Sequence, residues 1–501
     1  MSIDKKRIVR NTIFLFFRFT LILGVTFYVS RVLLDKLGVE DYGLYNVVYG
    51  VIGMLSFING TLASSTSRFI TYELGKENNE RLTITFTTAL YAHIILVAII
   101  LIIAMSFGIW YVCNVLVVPE SRFNAAFIVY LISIFSTVLS ILQVPFTAEI
   151  IAHERMDAYA YIGVFDAITR FAAAYALSYC STDKLVFYAC FLLLSNIFVF
   201  LLYVIYSKIH FPEIHFSIKI DRLILKDILK FSGWNILAKF SNTIIIQGII
   251  LLYNLFFAPA VVVAQAIGNQ ITHGISLLIN NVRSAINPQV VKLYAKGNEK
   301  ESEKLTIISA EYIFYLLMMI CLPCILIMPT LLNLWLKETP EYTVLFARLL
   351  VFQFLLENFN NAFYQPLVAV NKISVNSILE GITCLLQFII LYCLFFFGYS
   401  PVWARYLGIW VVLFLSFVEK PLLLWKYLNF DLKKIFQSLF RCVIALFIAL
   451  LLNFCIYVHY KQENLTDSLL VVCLSTLSVI VSCGIVLLCK ANWKIKFKIY
   501  K

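Results

Sequence analysis

Residues 83–111 read TITFTTALYAHIILVAIILIIAMSFGIWY and contain no Asp, Glu, Lys or Arg. A helix of about 20 apolar residues crosses the roughly 30 Å hydrocarbon core of a bilayer, so this run is long enough to span one. Similar runs follow one another along the 501 residues, of which 61% are hydrophobic and 14% are charged. A soluble domain carries about 25% charged residues. The composition therefore excludes an ordinary soluble enzyme and predicts a polytopic membrane protein.

Successive hydrophobic spans predict an all-α polytopic membrane protein with about fourteen transmembrane helices. The spans are 10–34, 42–70, 83–111, 123–148, 158–180, 185–207, 228–256, 261–290, 306–335, 343–370, 373–398, 402–426, 435–458 and 467–489. Lys and Arg are concentrated before the first span, in every second loop and in the tail from Lys490 to Lys501. Because positive charge stays on the cytoplasmic side, both termini are predicted to be cytoplasmic. The net charge of +12 then follows from topology and anionic lipids, and no nucleic-acid partner is expected.

The first six spans share a layout with the seventh to twelfth spans. In each set the second span is long and polar, and a charged inner loop follows it, with Lys76 in one and Lys296 in the other. Two such six-helix units are related by a pseudo-two-fold axis along the membrane normal, as in many transporters. The sequence therefore predicts two lobes and two extra C-terminal helices. The predicted parts are lobe 1–207, basic cytoplasmic linker 208–227, lobe 228–426, and residues 427–501 with the last two helices and the basic tail.

Motifs for enzyme chemistry are missing from the sequence. It has no Gly-x-x-x-x-Gly-Lys-Ser/Thr loop, and its six histidines show no metal-ligand spacing. Cys321-Leu-Pro-Cys324 has the spacing of a redox pair but lies within an apolar run, where packing is the expected role. We therefore expect no catalytic residue, no metal and no cofactor, and a function other than that of an enzyme.

The eighth span carries its polar residues along one helical face. Their mean step of about 3.7 residues matches the period of an α-helix. They are Gln265, Asn269, His273, Ser276, Asn280, Arg283 and Asn287. A polar stripe that faces lipid is costly, so this face is predicted to meet protein or water. A packing seam between helices is the alternative interpretation.

The first, second, seventh and eighth spans contain basic residues and no Asp or Glu. These residues are Arg18, Arg31, Arg68, Lys239 and Arg283. A charge at the bilayer centre costs about 2.5 to 3.5 kcal/mol, so such a set indicates a functional site. Arg31 and Arg68 lie near span ends, where snorkelling is an equal explanation. The three deeper residues are Arg18, Lys239 and Arg283. They predict an anion-binding site that opens to the cytoplasm, where the substrate itself supplies the negative charge.

The segment from Arg31 to Lys76, RVLLDKLGVEDYGLYNVVYGVIGMLSFINGTLASSTSRFITYELGK, resembles the polysaccharide-export branch of the multidrug/oligosaccharidyl-lipid/polysaccharide flippase superfamily. The resemblance extends through the span endings at Gln143 and Gln365 to the fourteen-helix plan, and so covers the whole chain. It implies a flippase for a polyprenyl-pyrophosphate-linked oligosaccharide repeat unit of lipopolysaccharide O-antigen or capsule. Such a flippase moves its substrate from the inner to the outer leaflet of the bacterial cytoplasmic membrane, by alternating access through a cationic central cavity.

The resemblance also implies roles for individual residues. The pyrophosphate would be bound by Arg18, Arg31, Arg68, Lys239 and Arg283, because an Arg fork binds a diphosphate bidentately. Hydrogen bonds to sugar hydroxyls would come from Gln265, Asn269, His273 and Asn280. Lys239 departs from this pattern, since its ammonium is a point charge. The expected partners are the lipid-linked oligosaccharide, membrane lipids, a coupling ion (proton or sodium) and other membrane proteins of polysaccharide assembly.

Two other functions stay open at the level of sequence. A multidrug and toxic-compound cation extruder has the same fold, but it needs acids in its cavity helices, and the first, second, seventh and eighth spans have none. A membrane glycosyltransferase or polymerase needs an acidic catalytic residue beside a folded outer loop. The connections on the predicted outer side are all short.

An ion gradient is the expected energy source, because the sequence has no nucleotide site. The candidate coupling acids are Asp166, Glu357 and Glu380. Asp166 lies four residues before Arg170, a spacing that favours an ion pair within one helix. A carboxyl group buried without a charged partner can take up and release a proton. The alternative is that each acid pairs with a basic residue on a neighbouring helix.

The charge bias makes a prediction about topology. Single cysteines placed in residues 291–304 should react with a membrane-impermeant thiol reagent only from the cytoplasm, and cysteines placed in 337–341 only from outside. Labelling of both loops from the same side would contradict the helix count and with it the internal repeat.

Overall fold

The computed structural model describes residues 5–53, 66, 69–70, 73–74, 79–153, 155–211, 220–295, 297–370, 373–459 and 465–499. In these residues the regular secondary structure is helical throughout, which confirms the all-α prediction. The chain separates into two compact units, unit 1 (Met1–Val262) and unit 2 (Val263–Lys501). The lobe boundaries inferred from the sequence stay predictions.

The helices of unit 1 are α1 (Lys5–Gly53), α2 (Asn79–Ile103), α3 (Ile109–Asn114), α4 (Phe123–Ala152), α5 (Met156–Ala176), α6 (Lys184–His210) and α7 (Arg222–Phe256). From α4 onward they follow the predicted spans, whereas α1 contains the first predicted span and the start of the second. A wide π turn, Ala104–Gly108, joins α2 to α3. The Tyr130 hydroxyl donates a hydrogen bond to the Ala104 carbonyl in this turn at 2.7 Å, and a side chain at Gly108 would collide with that hydroxyl.

The helices of unit 2 follow the predicted spans in the same way. They are α8 (Pro259–Ala295, which starts in the last residues of unit 1), α9 (Glu299–Leu326), α10 (Met328–Trp335), α11 (Thr343–Ala369), α12 (Ile373–Phe396), α13 (Trp403–Phe414), α14 (Lys420–Leu428), α15 (Leu432–His459) and α16 (Leu465–Ile499). A second π turn, Leu415–Glu419, joins α13 to α14. The two helices predicted as a C-terminal addition are α15 and α16, and both pack against α9.

Helix α1 contains the boundary between the first two predicted spans. Gly38 has φ 76° and ψ 175°, so the helical backbone breaks there although the elements on both sides are helical. A positive φ is readily adopted only by glycine. The break coincides with the short loop predicted after residue 34.

Ten helical stretches in the described part of the chain are long and apolar enough to cross a membrane. Large apolar side chains stand open on their outer surfaces, including Ile389 (57% exposed), Phe440 (66%) and Leu488 (68%). Such surfaces are stable against lipid and unstable in water. The protein is therefore a multi-pass membrane protein, and the full number of fourteen spans stays a prediction.

A charged cluster ties three helices of unit 1 together at the end where α4 and α6 begin. Arg122 donates to both carboxylate oxygens of Asp41, at 2.8 and 2.6 Å, and to Asp183 at 2.5 Å. Asp183 also caps α6 by accepting from the backbone N–H groups of Leu185 and Val186. Charge-assisted bidentate bonds of this kind are strong and directional. They fix the second part of α1 against α4 and α6.

Candidate functional site

The candidate site in unit 1 is built on one face of α5. Tyr159, Gly163, Asp166 and Arg170 follow at steps of four, three and four residues, so their side chains share a helical face. Helix α1 packs against α5 and brings Arg18 to this face. The guanidinium carbon of Arg18 lies 4.1 Å from the centroid of the Tyr159 ring, a cation–π contact.

Gly163 makes the position of Arg18 possible. A Cβ atom at residue 163 would overlap the Nε atom of Arg18. The absence of a side chain lets the guanidinium lie directly against the α5 backbone, beside the Tyr159 ring. The sequence predicted Arg18 as a site residue. Its position against α5 depends on the packing of α1 against α5, which the sequence does not show.

Arg170 adds a second cation on the same face, where the sequence predicted only its ion pair with Asp166. Its Nε atom donates to both carboxylate oxygens of Asp166, at 3.0 and 3.1 Å, so the predicted ion pair is present. Its two terminal nitrogens make no hydrogen bond to the described residues, and the side chain is 43% accessible. The pair therefore holds the guanidinium in place while leaving terminal N–H groups for a ligand.

Tyrosines surround the Arg170 guanidinium. The ring of Tyr45 lies 5.1 Å from the ring of Tyr49 and 5.5 Å from that of Tyr188, centroid to centroid. All three interact electrostatically with Arg170. Tyr45 and Tyr49 belong to the polar and aromatic end of the second predicted span. Tyr188 is buried, whereas Tyr45 and Tyr49 are half-buried and leave part of their aromatic surface accessible.

In unit 2 the predicted cation with a described side chain is Arg283 of α8. It is half-buried, its Nη2 atom donates to the Asn358 side-chain oxygen at 3.0 Å, and its buried Nε atom has no hydrogen-bond partner among the described residues. Asn358 is fully buried and donates in turn to the Ala310 carbonyl at 3.0 Å. Glu357 interacts with Arg283 electrostatically. The sequence predicted that Arg283 has no acidic neighbour and that the substrate is its counter-ion. This prediction needs correction, because Glu357 of α11 lies near Arg283.

The predicted sugar-binding residues of α8 fall into two groups. Gln265 is 2% exposed and donates to the Asn269 side-chain oxygen at 2.8 Å, so these two residues partner each other. His273 and Asn280 lie on the exposed part of the helix, and Asn280 also donates to the Ser276 hydroxyl at 3.2 Å. The second group is accessible to a ligand, whereas Gln265 is closed off by its own unit.

Three further cations were predicted as site residues, namely Arg31, Arg68 and Lys239. Arg68 lies outside the described residues, and so does the side chain of Lys239, whose backbone belongs to α7. Arg31 is half-buried on α1, thirteen positions after Arg18. At a rise of 1.5 Å per residue that is about 20 Å along the helix. The structure therefore does not bring Arg31 together with Arg18.

The structure also places the three candidate coupling acids. Each has a basic neighbour: Arg170 for Asp166, Arg283 for Glu357, and Lys420 for Glu380 at 2.6 Å. For Glu380 the structure thus favours the alternative of a pair with another helix. A fourth acid, Glu419, was missed at the level of sequence. It is 7% exposed, and within the described part of the chain neither of its carboxylate oxygens has a hydrogen-bond partner.

Solved structures share this arrangement of helices over nearly the whole chain. The lipid II flippase MurJ, in an inward closed conformation, superposes with a TM-score of 0.70 at 12% identity, covering 95% of this chain and 98% of that one. A MATE protein in the bent conformation gives a TM-score of 0.60 at 16% identity, over 87% and 97%. An inward-facing multidrug resistance MATE family transporter of the MOP superfamily gives 0.54 at 15% identity, over 95% of both chains.

The sequence matches no protein-family model and no curated protein. The identities to the solved structures are low, so these similarities establish the fold. The chain has the fold that MurJ and the MATE transporters share. At the level of fold this confirms the resemblance to the flippase superfamily that the segment from Arg31 to Lys76 indicated.

The contact between Arg18 and Gly163 gives a testable prediction. Gly163→Ala displaces the Arg18 guanidinium and should weaken binding of inorganic pyrophosphate to the purified protein. Loss of one charge-assisted hydrogen bond, about 1.5 kcal/mol, corresponds to roughly tenfold. The matched control is Gly24→Ala in α1, where an added Cβ meets no atom within 4 Å. Titration calorimetry measures both, and equal affinities for the two variants would contradict this role of Gly163.

Proposed function

We propose that the chain is a flippase that moves a polyprenyl-pyrophosphate-linked oligosaccharide from the inner to the outer leaflet of the bacterial cytoplasmic membrane. The product would serve as a repeat unit of surface polysaccharide, such as lipopolysaccharide O-antigen or capsule. Both termini would be cytoplasmic. Other membrane proteins of polysaccharide assembly would supply and receive the substrate.

The proposal rests mainly on Arg283, a half-buried arginine whose Nε has no hydrogen-bond partner among the described residues. An arginine within a membrane-embedded helix is costly, and the cost is accepted where the charge has a function. Asn358 holds one terminal nitrogen in place, and the buried Nε remains without a hydrogen-bond partner in the described structure. A pyrophosphate oxygen can accept from such a donor and complete its hydrogen bonding. Substrate binding would therefore satisfy a group that the protein leaves unsatisfied.

Unit 1 supports the same substrate class from its own residues. Arg18 lies against Tyr159, and Arg170 presents its terminal nitrogens among tyrosines. We assign Arg18 to the phosphate and the tyrosine cluster with Arg170 to the sugar. In unit 2, His273 and Asn280 remain the proposed sugar contacts. Arg31, Arg68 and Lys239 keep their proposed roles toward the pyrophosphate on the strength of the sequence resemblance.

The second candidate function is ion-coupled extrusion of organic cations. The similarity to MATE structures favours it, and so does Glu357 near Arg283. A cation would, however, meet Arg18 and Arg283 at the candidate sites, and like charges repel. A membrane glycosyltransferase is the third candidate, and none of the three solved structures described above is a glycosyltransferase.

Charge reversal at Arg283 tests the proposal. In proteoliposomes, Arg283→Glu should abolish movement of a polyprenyl-pyrophosphate oligosaccharide, measured by its access to a membrane-impermeant lectin. Arg283→Lys keeps the charge but loses the planar fork, and should retain partial activity. Lys300→Glu, an exposed residue at the start of α9, is the matched control and should behave like the parent. Parent-like movement in Arg283→Glu, or extrusion of an organic cation by the parent, would contradict the proposal.

A further inference from the structure

The π turn between α13 and α14 ends on an acid that the proposed transport site does not use. Glu419 is the last residue of the turn Leu415–Glu419. Its side chain is 7% exposed, and in the described structure both of its carboxylate oxygens lack a hydrogen-bond partner. π turns within longer helices are rare and frequently mark functional positions.

A lysine and a second acid stand beside it. The ammonium of Lys420 is fully buried and donates to the Asn376 side-chain oxygen and to Glu380, the latter at 2.6 Å. Lys420 also lies 5.7 Å from the centroid of the Tyr364 ring. Glu419 interacts electrostatically with both Lys420 and Glu380. The Lys420 ammonium therefore lies near two carboxylates, and of these two only Glu380 accepts a hydrogen bond from it.

The other charged and titratable groups in the surroundings do not remove this imbalance. Glu357 of α11 and Cys384 of α12 interact electrostatically with Glu380, and Cys384 also interacts with Glu419. Lys426 lines the same groove as Glu419 but makes no hydrogen bond to it. Within the described residues, Glu419 thus interacts electrostatically with one ammonium and one further carboxylate and makes a hydrogen bond to neither.

Glu419 lies in the wall of a groove of about 610 Å³ between α12 and the helices α13 and α14. The groove is mostly apolar, with walls that include Ile382, Leu386 and Trp410, and Trp410 is 69% exposed. Thr383 and Gln387 are its uncharged polar residues. A carboxylate without a partner in such surroundings is destabilised by several kcal/mol. Binding a positive ion removes that cost.

The oxygens present favour a proton over a metal ion. Sodium, like other hard cations, needs several oxygen ligands at once. The side-chain oxygens of Asn376 and Glu380 already accept hydrogen bonds from Lys420. The groove around Glu419 offers mainly carbon. A proton needs a single carboxylate oxygen, and Glu419 supplies it.

We propose that Glu419 is the proton-binding residue that couples transport to the proton gradient. The inference rests on the proposed function as a transporter. A proton enters from one side, forms the O–H bond of the Glu419 carboxylic acid, and leaves to the other side when that bond breaks. While the proton is bound, Lys420 pairs with Glu380 and ties α14 to α12. When the proton leaves, the Glu419 carboxylate competes with Glu380 for the Lys420 ammonium. This competition weakens the contact between α14 and α12.

Infrared spectroscopy and transport test the proposal together. The purified parent protein should show the carbonyl band of a buried carboxylic acid, and Glu419→Gln should lack it. In proteoliposomes, Glu419→Gln should still exchange the lipid-linked oligosaccharide between leaflets, but an imposed pH gradient should no longer accelerate the movement. Glu419→Asp keeps the acid and should keep both signals. Glu341→Gln, an exposed acid between α10 and α11, is the matched control and should behave like the parent.

The possible results separate the two proposals. A band that persists in Glu419→Gln, or acceleration by the gradient equal to that of the parent, would overturn the role of Glu419. Acceleration of the parent by a sodium gradient alone would overturn the choice of ion. If the parent moves no lipid-linked oligosaccharide, the proposed substrate fails, while the infrared comparison still decides whether Glu419 holds a proton.

Discussion

The energetic cost of a charge in the bilayer interior is the constraint on which this structure depends. Every membrane-embedded charge must be compensated by a partner or retained for a function. Arg441 in unit 2 is a charge that is compensated by a partner. It donates to the buried Glu311 at 2.7 and 3.3 Å and joins α15 to α9. The proposed function assigns Arg283 to the second case, because its buried Nε has no hydrogen-bond partner in the described structure, although Glu357 interacts with Arg283 electrostatically.

The same constraint connects the fold to the proposed activity. The α-helices satisfy their own backbone groups, so side chains alone decide where a polar ligand can be held. In unit 1, α5 gathers an arginine, an aspartate, a tyrosine and a glycine on the face that receives Arg18. In unit 2, α8 and α11 hold Arg283 between an amide and an acid. In the proposed function, the guanidinium groups of Arg18 in unit 1 and Arg283 in unit 2 would bind the pyrophosphate.

The sequence predicted most of the fold because long apolar runs dictate helices. The predicted span 185–207, for instance, corresponds to α6 at Lys184–His210. It also predicted Arg18 and Arg283, since basic residues stand out in apolar spans. It did not predict that Lys420 pairs with Glu380, because the two are 40 positions apart and meet only through helix packing. Glu419 was not among the predicted coupling acids, and the sequence does not show that the adjacent Lys420 donates its hydrogen bonds to Asn376 and Glu380 of another helix.

The proposed substrate of this protein is a lipid-linked oligosaccharide and not an organic cation. The most direct test is to deplete the protein from its host and quantify lipid-linked intermediates by mass spectrometry. We predict that a polyprenyl-pyrophosphate oligosaccharide of complete repeat-unit size accumulates in the inner leaflet while surface polysaccharide falls. Unchanged lipid-linked intermediates together with hypersensitivity to cationic drugs would contradict the account.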